Sequence, residues 1–186
     1  KGLGASTGIA TGQAWIFAPQ TPNIDNRTIA ATEVDGEIQA FLNARARVDE
    51  HLATLYQRVL EKQGEHDAAI FESHRELLGD DELLKDVQAL IRNEHKTASA
   101  AVKQYLDEAA ETMRALDDEY LRERAAEFLD LQNNLLLALN GLPFASLASA
   151  PLDSIIFAGD LTPSETAQLD PDKVRGFVLE QGGLTS

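Results

Sequence analysis

Between Glu33 and about Asn140 the apolar residues fall three and four positions apart, the spacing of helices that each bury one face. Val34, Ile38, Phe41, Val48, Leu52, Leu55 and Val59 make the first stripe, with Arg45 interrupting it. A second helix is predicted from about Asp67 to Leu78, with Gly79 as its left-handed terminator. Asp80, Asp81 and Glu82 then offer a cap and first-turn carboxylates to a third helix, Leu83 to Ile91, where exposed N–H groups favour negative charge. Thr97 suits the N-cap of a fourth helix, whose Val102, Leu106, Ala109, Met113 and Leu116 share one side. Leu121 to Leu139 forms a fifth that ends at Asn140-Gly141. Short connections between successive helices predict an antiparallel bundle.

The two ends of the chain follow a different period. Ile9 to Phe17 reads as a short strand after a glycine-dotted turn, and Pro19 and Pro22 break it off. Ser154 to Ala158 and Val174 to Leu179 are compact β-branched and aromatic runs. Between them Thr162, Pro163 and Glu165 stand at the N-cap, first helical position and capping-box acid of a short helix. Strand, helix, strand predicts a right-handed parallel crossover, and the amino-terminal strand is expected to join the same sheet, leaving the bundle as an insertion. The expected fold is thus α+β or α/β, with residues 1–20 and 143–186 forming a small α/β subdomain around a helical subdomain at 21–142. Segments near 19–24 and 141–152 are the expected linkers, free enough to let the subdomains swing.

Composition narrows the function. At 186 residues with 44% apolar content the chain can bury a real core. No apolar run reaches membrane-spanning length, and the opening Lys1-Gly2-Leu3-Gly4 is unlike a signal peptide, so a cytoplasmic location is expected. The absence of cysteine excludes thiol catalysis and thiolate metal sites. A net charge of −15 argues against a nucleic-acid partner, since phosphate backbones are bound by clustered Lys and Arg; on composition it reads first as solvated helix surface, with basic proteins left open as partners. His51, His66, His74 and His95 lack the carboxylate–histidine spacing of a metalloenzyme, so no metal site is expected. Asp117, Asp118 and Glu119 point in different directions around a helix, which suits a cap better than acid–base chemistry.

Several ordered stretches carry a family resemblance. These are Gly4-Ala5-Ser6-Thr7-Gly8-Ile9-Ala10, Ala69-Ile70-Phe71-Glu72-Ser73-His74 with Leu77-Leu78 and Asp81-Glu82-Leu83, Leu116 to Ala126, and Asp160 to Leu169. The terminal Gln181-Gly182-Gly183-Leu184-Thr185-Ser186 is similar to the approach to a phosphohistidine loop, Gly-Gly-x-Thr-Ser-His, whose histidine would be residue 187. Together they resemble the amino-terminal half of Enzyme I, the phosphoenolpyruvate-protein phosphotransferases of the bacterial sugar phosphotransferase system, or the corresponding part of a multiphosphoryl transfer protein. The Enzyme I-like domain of a dihydroxyacetone kinase phosphoryl donor, and a carrier-binding module without catalysis, remain open alternatives.

The resemblance implies phosphoryl transfer from phosphoenolpyruvate to a histidine and then to the phosphocarrier HPr, which docks on the helical subdomain. It further implies that the nucleophile is not in this chain, that the fragment alone is inactive and monomeric, and that magnesium and homodimerisation belong to a carboxy-terminal domain. Thr166, Thr185 and Ser186 are the implied supports of the phosphohistidine. Ile70, His74 and Leu77 fall near one helix face with Glu65, Asp67, Glu72 and Asp80 around them, and Arg124 matches a position near the carrier site. An apolar centre with an acidic rim suits a basic carrier, the rim speeding encounter and the centre supplying affinity. For Phe71 and Leu78 a plain core role is expected. Three positions depart from the family pattern: Thr7 for proline, and Asp67 and Leu184 where relatives carry positive charge near the phosphoryl site.

Overall fold

The computed structural model describes residue 4 and residues 6–180, which separate into two compact units, residues 20–144 and the described residues up to 19 together with 145–180. The first is helical. Its helices are α1 (Val34–Gln63), α2 (Glu65–Gly79), α3 (Asp81–Glu94), α4 (Ala98–Arg114) and α5 (Glu119–Leu139). The stripe predicted for α1 is its buried face, Ile38, Phe41, Val48, Leu52, Leu55 and Val59, with Ala44 filling the gap beside Arg45. Arg45 leaves the stripe for a reason: its Nε donates to the Leu78 carbonyl at 2.8 Å, satisfying an oxygen that the end of α2 leaves without a helical partner. Arg45 meets Leu78 and Asp49 meets Arg75 at 2.7 Å, so the α2 residue falls as the α1 residue rises and the two helices run antiparallel, late α2 beside the middle of α1.

The turn between them is made by Gly64, whose φ of 98° is a left-handed value that a side chain would strain, and whose N–H closes onto the Val59 and Leu60 carbonyls. Gly79 does not play the terminator role expected of it. It is the last residue of α2, and the chain turns instead at Asp80, extended at φ −62° and ψ 130°, because the Asp80 carboxylate must stand outside α3 to accept from the Glu82 N–H at 2.6 Å. Thr97 caps α4 through the Ala100 N–H, and Asp118 caps α5 through the Leu121 N–H. The inward stripe of α4 differs from the expected one: Val102 and Leu106 are buried, Ala110 replaces Ala109 in the core, and Leu116, beyond the end of the helix, is exposed. Phe71 and Leu78 are core residues, fully buried.

The second unit holds a three-stranded parallel sheet in the order β1 (Gln13–Phe17), β2 (Ser154–Ala158), β3 (Val174–Leu179). β1 is shorter than the Ile9–Phe17 run predicted. Its partner begins only at Ser154, so pairing starts at Gln13, whose N–H meets the Asp153 carbonyl at 2.8 Å, and Ile9 is fully exposed. Gly12 is required just before this point, since a Cβ there would lie 2.3 Å from the same carbonyl. The helix α6 (Pro163–Thr166) has the predicted reciprocal cap: the Glu165 N–H donates to Thr162 Oγ1 at 3.2 Å, and the Thr162 N–H to Glu165 Oε2 at 2.9 Å. Phe17, Leu147, Ile156 and Ala158 form the core of this unit, with Trp15, Leu161, Leu169 and Leu179 packed against it.

Candidate functional site: an acidic-rimmed cleft in the helical unit

The end of α2 and the start of α3 meet at Asp80, and the helices α4 and α5 pass beside this corner. The four helices leave between them a cleft of about 720 Å3. Its floor is apolar: Leu83, Leu106 and Leu131 are buried core side chains, and Leu77, Met113 and Phe128 stand half-exposed above them. Asp80, Glu82, Asp86, Glu94 and Glu108 are on its rim, and neither Lys nor Arg is among the described lining residues. Lys96 reaches Glu94 from outside at 2.8 Å. Tyr105 sits within the acidic stretch. Its phenol is pushed above the ordinary range by burial and then by Asp86, Asp80 and Glu82, so it stays protonated and can donate a hydrogen bond.

Cap chemistry explains why the carboxylates collect here. Asp80 is the N-cap of α3, Asp81 and Glu82 occupy its first turn, and a helix start favours negative charge by roughly 0.3–1 kcal/mol per group. Asp80 and Glu82, which begin the helix, therefore also charge the lip of the cleft.

Of the residues predicted for partner contact, Leu77 and Asp80 line the cleft. Ile70 is half-buried on α2 outside it, and Glu65, Asp67 and Glu72 are exposed. At 3.6 residues per turn Glu72 stands about 160° around α2 from Ile70, so these two cannot border one groove. His74 is corrected from surface contact to core: it is fully buried, because it shares the α2 face of Phe71 and Leu78. Neither ring nitrogen finds a hydrogen-bond partner among the described residues. Burial holds its pKa below the ordinary histidine value, against the pull of Asp130 and Glu127, while Arg124 adds to the lowering.

Arg124 is half-buried and tied down. Its Nη2 donates to Ser73 Oγ at 3.0 Å and lies 3.4 Å from Glu127 Oε2, which also accepts from the Ser73 hydroxyl at 2.9 Å. This knot lies one turn from the cleft along both helices, at Leu77 on α2 and Phe128 on α5. Tyr105, Met113 and Phe128 were absent from the sequence-predicted site. The first two lie on the α4 face whose apolar stripe runs past the α3 corner, a signal that names a helix face without naming its neighbour.

In the α/β unit, Thr166 is exposed, and its hydroxyl donates to the Thr162 carbonyl at 2.9 Å, leaving the oxygen's lone pairs to accept. Thr185 and Ser186 lie outside the described residues. The four histidines all belong to the helical unit. His51 stacks on Phe144 with centroids 4.1 Å apart and has its pKa lowered to about 4, by burial first and then by Arg58 and Arg47. Among the described residues no group of three or more His, Asp or Glu side chains could hold a metal ion, and no helix is long and apolar enough to cross a membrane.

Comparison with known proteins places this geometry. The family described as PEP-utilising enzyme, N-terminal, matches residues 1–124, and the PEP-utilising enzyme mobile domain matches residues 150–186. The phosphoenolpyruvate-protein phosphotransferase of Haemophilus influenzae is 37% identical over 186 residues, covering all of this chain and 32% of that protein. The protein of the same name from Geobacillus stearothermophilus is 38% identical over 191 residues, again covering all of this chain and 32% of the relative. The chain thus spans about a third of the length of the curated relatives it matches. Among solved structures, an NMR structure of Enzyme I superposes with a TM-score of 0.86 at 34% identity, covering 95% of this chain and 71% of that one. The N-terminal domain of Enzyme 1 – Nitrogen gives 0.68 at 25% identity, covering 98% and 74%. A helical unit inserted in a parallel-sheet unit, with both family matches falling in order along it, identifies the chain as a member of the PEP-utilising enzyme family, in the N-terminal part that its phosphotransferase relatives share.

Proposed function

We propose that this chain serves a full-length phosphoenolpyruvate-protein phosphotransferase as its docking and relay half, and that the cleft between α2, α3, α4 and α5 receives the phosphocarrier HPr. The observation that carries the reading is the pairing of an apolar floor with a rim of carboxylates. Desolvating Leu77, Met113 and Phe128 supplies affinity, and the rim raises the encounter rate with a basic surface and repels acidic ones. Arg124, held by Ser73 and Glu127 one turn away, would offer the end of the cleft a positive group.

In this reading phosphoryl transfer occurs in two steps. An imidazole nitrogen attacks the phosphorus of phosphoenolpyruvate, the P–O bond to enolpyruvate breaks, and an N–P bond forms. A histidine of the carrier then displaces the first imidazole at phosphorus, giving ping-pong kinetics. In this reading the first imidazole belongs to the full-length protein outside this chain, and His74, sealed in the core of the helical unit, is not available for the role. Thr166, exposed at the end of α6 with its oxygen still able to accept, is the proposed orienting group for a protonated ring nitrogen. Thr185 and Ser186 are the proposed neighbours of the phosphoryl group. Magnesium and dimerisation are assigned to the part of the full-length protein outside this chain.

The test is titration of HPr into the 15N-labelled protein. Amide shifts are expected at Leu77, Glu82, Leu83, Tyr105, Ala109 and Met113. The double reversal Glu82→Lys with Asp86→Lys should weaken binding by roughly 10–100-fold at low ionic strength, a difference that shrinks as salt is added. Shifts confined to other helices, or an unchanged Kd in the double variant, would reject the cleft as the docking face.

A further inference from the structure

The chain enters the helical unit at residue 20 and leaves it at residue 144, and one side chain fastens these two crossings to each other. The Asn23 N–H donates to Asn140 Oδ1 at 3.2 Å, and Asn140 Nδ2 donates to the Asn23 carbonyl at 3.0 Å and to the Leu136 carbonyl at 2.8 Å. The latch needs one acceptor and two donor hydrogens, a set that a side-chain amide has and a carboxylate lacks. Further along, the incoming chain has its own anchor, the Asp25 N–H to Ser99 Oγ at 3.1 Å and the Asp25 carbonyl to the Thr97 hydroxyl. The outgoing chain has another: Arg47 donates to the Ala138 and Leu142 carbonyls at 3.3 and 2.6 Å and lies over the Phe144 ring, which stacks on His51. Among the described residues, Asn140 supplies the only hydrogen bonds to residues 20–24.

Asn140 is also the one asparagine in the sequence that is followed by glycine. Gly141 has no Cβ to shield its nitrogen, and its φ of 67° already lies where other residues are strained. We propose that Asn140 is a modification site, at which loss of the side-chain amide unfastens the incoming crossing. The Gly141 nitrogen attacks Asn140 Cγ, an N–C bond forms and the Cγ–Nδ2 bond breaks. The proton given up by the Gly141 nitrogen leaves on the departing ammonia. Water then opens the five-membered imide at either carbonyl, leaving aspartate or isoaspartate, so the conversion consumes water alone and nothing is oxidised or reduced.

The native geometry restrains this reaction. Asn140 has a ψ of 0°, which turns the Gly141 nitrogen away from Cβ, and the Gly141 N–H is itself given to the Ala138 carbonyl at 3.1 Å. Ring closure therefore waits for the latch to open. Asn23, Asn140 and Gly141 are all exposed, so opening breaks a few surface hydrogen bonds and uncovers no core. The product cannot relatch. Its carboxylate has no donor to offer and would face the carbonyl oxygens of Asn23 and Leu136, at the C-cap of α5, where the helix end already carries partial negative charge. Residues 20–24 are then released while Asp25 and Phe144 keep their own anchors, and the free connection leading into the helical unit lengthens.

The experiment incubates the protein at pH 8 and follows amide-to-acid conversion peptide by peptide by mass spectrometry. Asn140 is expected to convert before any other asparagine, and about 10–100-fold more slowly in native than in urea-unfolded protein, the protection a few hydrogen bonds give. Native conversion at the unfolded rate would mean that there is no latch, and another asparagine converting first would mean that this is not the site; either overturns the proposal. The second arm is Asn140→Asp. In the 15N-labelled variant, hydrogen exchange at the Asn23 amide should accelerate at least about tenfold, while the Asp25 amide, held by Ser99, keeps its parental rate. Unchanged exchange at Asn23, or an equal acceleration at Asp25, overturns the latch. None of these results depends on HPr binding, so their failure is separate from failure of the docking cleft.

Discussion

Replacing His74 with leucine should stabilise the protein, and increasingly so as the pH falls. The imidazole is fully buried with both nitrogens unpartnered among the described residues. An unsatisfied buried polar group costs about 1–3 kcal/mol, and an apolar side chain of similar volume removes that cost without opening a cavity. At about 2–4 °C per kcal/mol for a chain of this size, His74→Leu should raise Tm by roughly 3–8 °C at pH 8. The pH dependence follows from linkage. Burial depresses the folded-state pKa below the unfolded value of 6.5, so between the two the unfolded chain binds more protons and stability falls with falling pH. The penalty is absent above about pH 7.5 and grows by at most about 1.4 kcal/mol per pH unit below 6.5 until the folded pKa is reached. His51 behaves in the same direction but is present in both proteins and cancels from their difference. Thermal unfolding by circular dichroism at pH 8, 6.5 and 5.5 measures it. A variant less stable than the parent at pH 8, or a Tm difference that does not widen on acidification, would refute the argument and give His74 a native partner. HPr affinity should change less than about twofold, which also separates a core histidine from a contact residue.

Three further substitutions test the local physics. Gly12→Ala forces a Cβ to within 2.3 Å of the Asp153 carbonyl, so exchange protection of β1 should be lost while the helical unit keeps its own, as read by hydrogen-exchange mass spectrometry. Thr97→Ala removes the α4 cap and the hydroxyl's bonds to the Asp25 carbonyl and Ser99, an expected loss of about 1–2 kcal/mol in urea denaturation. Arg45→Met keeps the stem but leaves the Leu78 carbonyl without its donor, which should lower stability by about 1 kcal/mol and expose the α2 end to faster exchange.

The elements most legible in the sequence were those with local causes. The caps at Asp80, Thr97 and Thr162 depend on a side chain and an N–H two or three residues away, and all three form. The buried stripe of α1 follows from a period sustained over thirty residues. Sequence and structure part where the cause is distant. Gly79 looked like a terminator, but the N-cap requirement of the next helix fixes Asp80 as the turning point. Ile9 reads as strand by composition, yet a strand extends only as far as its partner, and β2 begins at Ser154.

The candidate site shows the same division at finer scale. A helix period separates an inward face from an outward one, but a docking surface is built from the flanks between them. On α2 the flank offers both Ile70 and Leu77, and only Leu77 reaches the cleft, because α3 turns away at Asp80, three residues on. His74 shares the spacing of these residues but sits about 40° further around from Ile70, toward Phe71 and Leu78, and that rotation carries it from the flank into the core. A fraction of a helical turn thus decides between a partner contact and a buried, unpaired imidazole, and it is set by which neighbouring helix closes over α2. Ser73 and Glu127, which hold Arg124, were illegible for the same reason: they are ordinary on their own helices and become a unit only where α2 and α5 touch.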